Sequence, residues 1–215
     1  MSARAVAAEF IGSAGLLAVV VGSGIMAERL AAGNDGVALL ANAAATAGGL
    51  YVLILAFAPL SGAHFNPVVT LVGALARETP WNRVAPYWLA QCAGAVAGVA
   101  LAHAMFALPL VQTSTKLRTG FGQWLGDFVA TFGLIACIGL CARHGLATLA
   151  GAVAAYIGAA YWFTSSTSFA NPAVTLARSL TDTFAGIAPE NIALFVSAQL
   201  AGALAGYAVA CWLKR

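Results

Sequence analysis

Three charge-free stretches, residues 10–27, 36–63 and 145–177, constrain this chain more than any other feature. A membrane span needs about 20 consecutive apolar residues, and each stretch is long enough to cross unaided. Only 8% of the residues are charged, while 61% are hydrophobic and the mean hydropathy is +0.89. A soluble domain carries roughly 25% charged residues, so a water-facing surface could not be covered here. The pattern predicts an all-α integral membrane protein with spans near 5–27, 36–58, 84–107, 121–142, 146–164 and 190–213. Short connections between them predict one domain over 1–215.

Two near-identical segments interrupt the pattern. "NPVVTL" begins at Asn66 and "NPAVTL" at Asn171, each inside apolar sequence. Asparagine is a preferred N-cap, and proline is preferred at the first helical position, where its missing N–H costs nothing. Each NP therefore reads as a helix start. The apolar run behind it is too short to cross, because about ten helical residues cover only about 15 Å of a roughly 30 Å hydrocarbon core. Both are predicted to be re-entrant half-helices.

The chain also repeats itself. "AQCAGAVAGVAL" from Ala90 matches "AQLAGALAGYAV" from Ala198 at eight of twelve positions, and "EFIGSAGLLA" from Glu9 aligns with "DFVATFGLIA" from Asp127. Repeat one covers about 5–107 and repeat two about 121–213. Each holds three spans, an odd number, so the second enters the membrane from the opposite side. Inverted repeats of this kind build their sites where discontinuous helices meet near the midplane. Two positive helix ends and two amides would then face one small region, which suits a neutral solute bearing oxygen and repels cations.

With the amino terminus inside, Arg4, Arg77, Arg83, Arg143, Lys214 and Arg215 fall on the cytoplasmic side and Arg29, Lys116, Arg118 and Arg178 on the other, a weak positive-inside bias. The first apolar stretch runs on without a processing site and is expected to be a span, not a secretory signal. The net charge of +3 is scattered and forms no basic stripe, which argues against nucleic acid. Cys92, Cys137, Cys141 and Cys211 lie in apolar segments without histidine or carboxylate neighbours, so they are expected to pack helices as free thiols and not to bind a metal. Gly94 with Gly98, and Gly202 with Gly206, are small-xxx-small pairs of the kind that let helices approach.

The paired NP motifs, "SGAHFNPVVT", "AEF" in the first span and "AQ..GA" in the third and sixth resemble the aquaporin and aquaglyceroporin family of membrane channels. The resemblance covers the whole chain. It implies an aquaporin-like right-handed bundle of six transmembrane helices plus two half-helices, and a homotetramer in which each protomer has its own pore for small neutral solutes and water. It further implies a multi-pass protein of the bacterial inner membrane with both termini cytoplasmic, no cofactor and no enzymatic activity. Asn66 and Asn171 would be the midplane donors, with Pro67, Val68, Pro172 and Ala173 lining the pore beside them. Two departures stand out: Val68 where the family usually has alanine, and Val174 where it usually has the arginine of the outer selectivity filter. Arg178 follows one turn later, about 40° around the helix. Carried over by spacing, the other filter positions are Thr46, Ala159 and either Ser168 or Thr167, all small. The filter so composed resembles that of an aquaglyceroporin, and most closely the subgroup tied to arsenic resistance. Arsenite, neutral methylated arsenicals and glycerol-like polyols are the expected solutes, with water a further candidate.

Glu9 and Asp127 are intramembrane carboxylates and therefore functional candidates. The resemblance assigns them to holding the re-entrant loops, with Gln91 and Gln199 in similar roles. Arg178 is expected to line the outer vestibule, the rival reading being an ion pair with Asp182 at i+4. His64 is expected at the cytoplasmic mouth, His103 as a packing residue and His144 at the surface. The competing functions are a water-selective aquaporin and a proton-coupled transporter, the latter requiring Glu9 or Asp127 to face the pathway.

Overall fold

The computed structural model describes residues 2–214, so Arg215 lies outside the described residues. Eight α-helices follow one another: α1 (Ala3–Leu30), α2 (Asp35–Ser61), α3 (Pro67–Leu75), α4 (Val84–Met105), α5 (Phe121–Cys141), α6 (Leu146–Phe163), α7 (Pro172–Arg178) and α8 (Ile192–Leu213). All except α3 and α7 are long and apolar enough to cross a membrane. The six expected spans match them to within a few residues, because charge-free runs mark the spans and Asn, Gly and Pro mark their ends. Asn34 caps α2 by accepting the Val37 N–H at 3.1 Å, and Gly62 stops it in the left-handed conformation at φ +94°.

The bundle reverses the soluble rule. Leu89, Phe121 and Trp212 are exposed on its outer face, while Glu9, Asp127, Gln91, Gln199, Thr70 and Thr175 are wholly buried. Polar side chains inside serve backbone that is not helical, and lipid accepts the apolar exterior.

The two halves fold alike: α1 packs closely on α4, and α5 on α8. The glycine pairs make this possible. A side chain on Gly94 or Gly98 would collide with the backbone of Phe10 or Ala14 on α1, and one on Gly202 or Gly206 with the backbone of Phe128 or Phe132 on α5. Backbone cannot yield as a side-chain tip can. Gly98→Leu is therefore expected to cut recovery of folded protein at least severalfold, read as the monodisperse peak on gel filtration. An undiminished peak would mean that the α1–α4 contact is dispensable.

Candidate functional site

Each half-helix begins with its own cap. The Asn66 Oδ1 accepts the Val68 N–H at 3.1 Å, and the Asn171 Oδ1 accepts those of Ala173 and Val174 at 2.9 and 3.3 Å. Each Nδ2 then reaches across the repeat. Asn66 donates to the Ala170 carbonyl and Asn171 to the Phe65 carbonyl, both at 2.8 Å. One amide hydrogen of each asparagine is thereby committed to the opposite loop, and one remains uncommitted. The sequence reading had left both free.

The loops before the caps are strained alike. Ala63 and Phe65 have φ near +50°, as do Ser168 and Ala170, which lie 105 residues on. Left-handed backbone costs a non-glycine residue roughly 1–2 kcal/mol. Two buried carboxylates offset it. Glu9 accepts the N–H groups of His64 and Phe65 at 3.0 and 2.7 Å, the Ser61 hydroxyl at 2.6 Å and the Gln91 amide at 2.8 Å. Asp127 accepts the Ala170 N–H at 3.1 Å, the Ser166 hydroxyl at 3.2 Å and the Gln199 amide at 2.6 Å. Each glutamine also donates to a threonine four residues past the cap: Gln91 to Thr70 at 2.9 Å and Gln199 to Thr175 at 2.7 Å. The sequence reading missed Ser61, Ser166, Thr70 and Thr175. The signal was present, since each pair repeats at the same 105-residue interval as the NP motifs.

Between the half-helices runs a cavity of about 540 Å³. Its lining extends from Glu78, Cys211 and Lys214, on the face that carries the termini, past Asn66 and Asn171 to Arg178 near the far face. His64 lines it on the terminal side, with its Nδ1 3.0 Å from the Thr70 hydroxyl and its ring edge-on to Tyr87.

Several expected lining residues lie elsewhere. Pro67, Val68, Pro172 and Ala173 do not line the cavity; Val69 and Val174 do, each three residues past its asparagine. Val68 instead packs fully buried against Ile135 and Ala203, so the valine-for-alanine departure faces a helix contact. The second residue past the cap simply points to the other side of the half-helix. Ala159 is exposed on the outside of α6, which presents Leu149, Val153, Ile157 and Tyr161 to the cavity at four-residue intervals. Counting back across the loop had put the register two residues off, about 200° around a helix. The wall therefore carries Tyr161, whose hydroxyl lies 3.3 Å from that of Thr46. Ser168 lines the cavity and Thr167 does not.

Arg178 is buried at the cavity wall, one turn past Val174. Its Nε–H donates to the Ala185 carbonyl, and its guanidinium lies 3.5 Å from the centre of the Phe169 ring. It does not pair with Asp182, whose carboxylate accepts the N–H and hydroxyl of Thr115 at 2.8 and 3.1 Å. Those bonds hold Asp182 below the usual carboxylate range. His103 is fully buried and satisfied on both nitrogens, by the Leu110 carbonyl at 3.0 Å and the Thr181 hydroxyl at 2.7 Å. All four cysteines are free.

Residues 1–164 match the sequence model of the family described as Major intrinsic protein. The chain is also 52% identical over 210 residues to aquaglyceroporin AqpS of Rhizobium meliloti, an alignment covering 98% of this chain and 90% of that one.

The chain belongs to the major intrinsic protein family.

Other members align over part of their length. Probable aquaporin PIP2-8 of Arabidopsis thaliana is 40% identical over 138 residues, 61% of this chain and 50% of that one. The fold matches the crystal structure of the aquaglyceroporin from Plasmodium falciparum with a TM-score of 0.75, across 98% of this chain and 94% of that one; at 19% identity the likeness concerns the fold alone.

Proposed function

We propose that this major intrinsic protein is an aquaglyceroporin-type channel that passes small neutral solutes passively through each protomer. Its expected solutes are glycerol-like polyols, arsenite and neutral methylated arsenicals, and water. One observation carries the reading: two amide-capped helix starts meet beside one elongated cavity, and the ionisable Glu9 and Asp127 are not among its lining residues. A proton-coupled transporter would need one of those carboxylates on the pathway, and both are instead consumed by loop N–H groups.

Val174 leaves the outer constriction without the usual arginine, and Thr46, Ser168 and Tyr161 supply hydroxyl groups around it. Tyr161 makes this mouth narrower than small residues alone would, so the reading rests on polarity as well as width. The exposed apolar faces suit lipid and the contacts of a homotetramer, in an inner membrane with both termini cytoplasmic.

Stopped-flow light scattering on proteoliposomes tests the reading. Glycerol and arsenite uptake should rise linearly with concentration and ignore a protonophore; saturable, protonophore-sensitive uptake would establish a transporter. Val174→Arg should cut glycerol and arsenite flux about tenfold, equivalent to about 1.4 kcal/mol of barrier, while sparing water. If glycerol flux survives that change, the constriction lies away from Val174.

A further inference from the structure

Arg178, on the cavity wall, has a second guanidinium near it that does not itself line the cavity. Arg118, from the connection between α4 and α5, lies over the same Phe169 ring with its guanidinium carbon 5.2 Å from the ring centre. Its Nε–H donates to the Gly186 carbonyl at 2.8 Å, next to the Ala185 carbonyl that holds Arg178. Two cations thus share one aromatic ring and two adjacent carbonyls.

Neither has a carboxylate partner. Among the described residues the only ion pair joins Lys116 to Glu28. Asp127 is committed to its loop and Asp182 to Thr115, and Glu190 is exposed. Among the described residues the negative features in direct contact with the two arginines are the ring face and the carbonyl dipoles, while the buried Asp127 carboxylate acts on both only through space. Buried charges are ordinarily paired, and neither arginine has a carboxylate in direct contact. Donors are also left over. Among the described residues, only the Nε–H of Arg178 has an acceptor, and the Arg118 Nη1 reaches only the Thr167 hydroxyl, at 3.5 Å. Ser168, next in sequence to Phe169, is 4% exposed and on the cavity wall, and its buried hydroxyl has no partner.

We propose that Arg178, Arg118 and Ser168 form an anion site at the far mouth, which takes a small oxyanion and, when filled, obstructs neutral-solute flux. Guanidinium groups match the spaced oxygens of such an ion, and charge-assisted hydrogen bonds are about twice as strong as neutral ones. Val174 beneath the site supplies no donor, so the anion is held at the mouth and not drawn further in. The effect on flux rests on the channel reading above; the binding does not.

Inorganic phosphate is the probe. In proteoliposomes, glycerol flux should fall severalfold and saturably with external phosphate, at ionic strength held constant with potassium gluconate, whose larger, singly charged anion serves as the control. Each variant's flux is expressed relative to its own phosphate-free value. Arg118→Gln should raise the half-inhibiting concentration about tenfold, or about 1.4 kcal/mol, and Arg118→Lys should raise it less. In detergent, phosphate should raise the thermal unfolding midpoint of the full chain, and Arg118→Gln should reduce that shift. Equal inhibition by gluconate, an unchanged half-inhibiting concentration in Arg118→Gln, or no thermal shift with phosphate would each overturn the site. A phosphate-dependent shift in a protein that carries no glycerol would keep the anion site and sink the channel reading.

Discussion

Asp127→Leu should leave almost no folded channel, whatever solute the channel carries. The carboxylate accepts the Ala170 N–H, the Ser166 hydroxyl and the Gln199 amide, all in the buried interior. Leucine leaves the Ala170 N–H and one Gln199 amide hydrogen unpaired, although Gln199 keeps Thr175 and Ser166 keeps Thr164, and each buried unsatisfied group costs about 1–3 kcal/mol. The sum reaches the lower end of the whole stability of a typical domain, about 5–15 kcal/mol. Ala170, held at positive φ, would also lose the bond that keeps it there. Gel filtration after extraction should show at least a tenfold loss of folded protein. Asp127→Asn keeps one acceptor oxygen and should recover part of it. Normal assembly of Asp127→Leu with transport abolished would give the carboxylate a role in the pathway and overturn the loop assignment.

How legible the site was depends on which physical rule wrote each residue. The spans, the NP helix starts and the inverted repeat follow from length, capping and periodicity, and these survive any change of packing. The carboxylates were legible because an acid inside an apolar run needs a reason. What failed was register counted across a loop. Ala159 was placed from Asn171 through seven non-helical residues, and loop geometry carries no helical phase. Val68 was placed on the pore by adjacency to Asn66, although successive helical residues point about 100° apart. Tyr161 and Phe169 were missed because an aromatic residue in a membrane helix or loop is ordinary until its neighbours are known. The cross-repeat bonds from Asn66 and Asn171 could not be read from either half alone, since each donor finds its acceptor over 100 residues away. Ser61 with Ser166, and Thr70 with Thr175, were readable in principle. Extending the 105-residue interval in both directions from the asparagines would have found them.

Asn171→Asp isolates the part of the asparagine that a solute would use. The two side chains have nearly the same shape, and an Asp oxygen can still accept the Ala173 and Val174 N–H groups, so the start of α7 keeps its cap. What is lost is the Nδ2 group. Its hydrogen bond to the Phe65 carbonyl disappears and leaves two acceptor oxygens facing each other where a 2.8 Å donor–acceptor contact stood. The remaining amide hydrogen, the one open to the cavity, disappears as well. A negative charge arrives between the positive ends of α3 and α7, whose field keeps it ionised. The consequence for a neutral oxygen-bearing solute is the loss of a donor at the midplane and the presence of a strongly hydrated ion in its place. Glycerol flux should fall tenfold or more, since each 1.36 kcal/mol of added barrier is a factor of ten. The same charge removes the electrostatic barrier to cations, so a potassium leak absent from the parent should appear in a membrane-potential dye assay. Water and glycerol flux equal to the parent, with no cation leak, would show that the amide hydrogens of Asn171 neither guide the solute nor exclude ions.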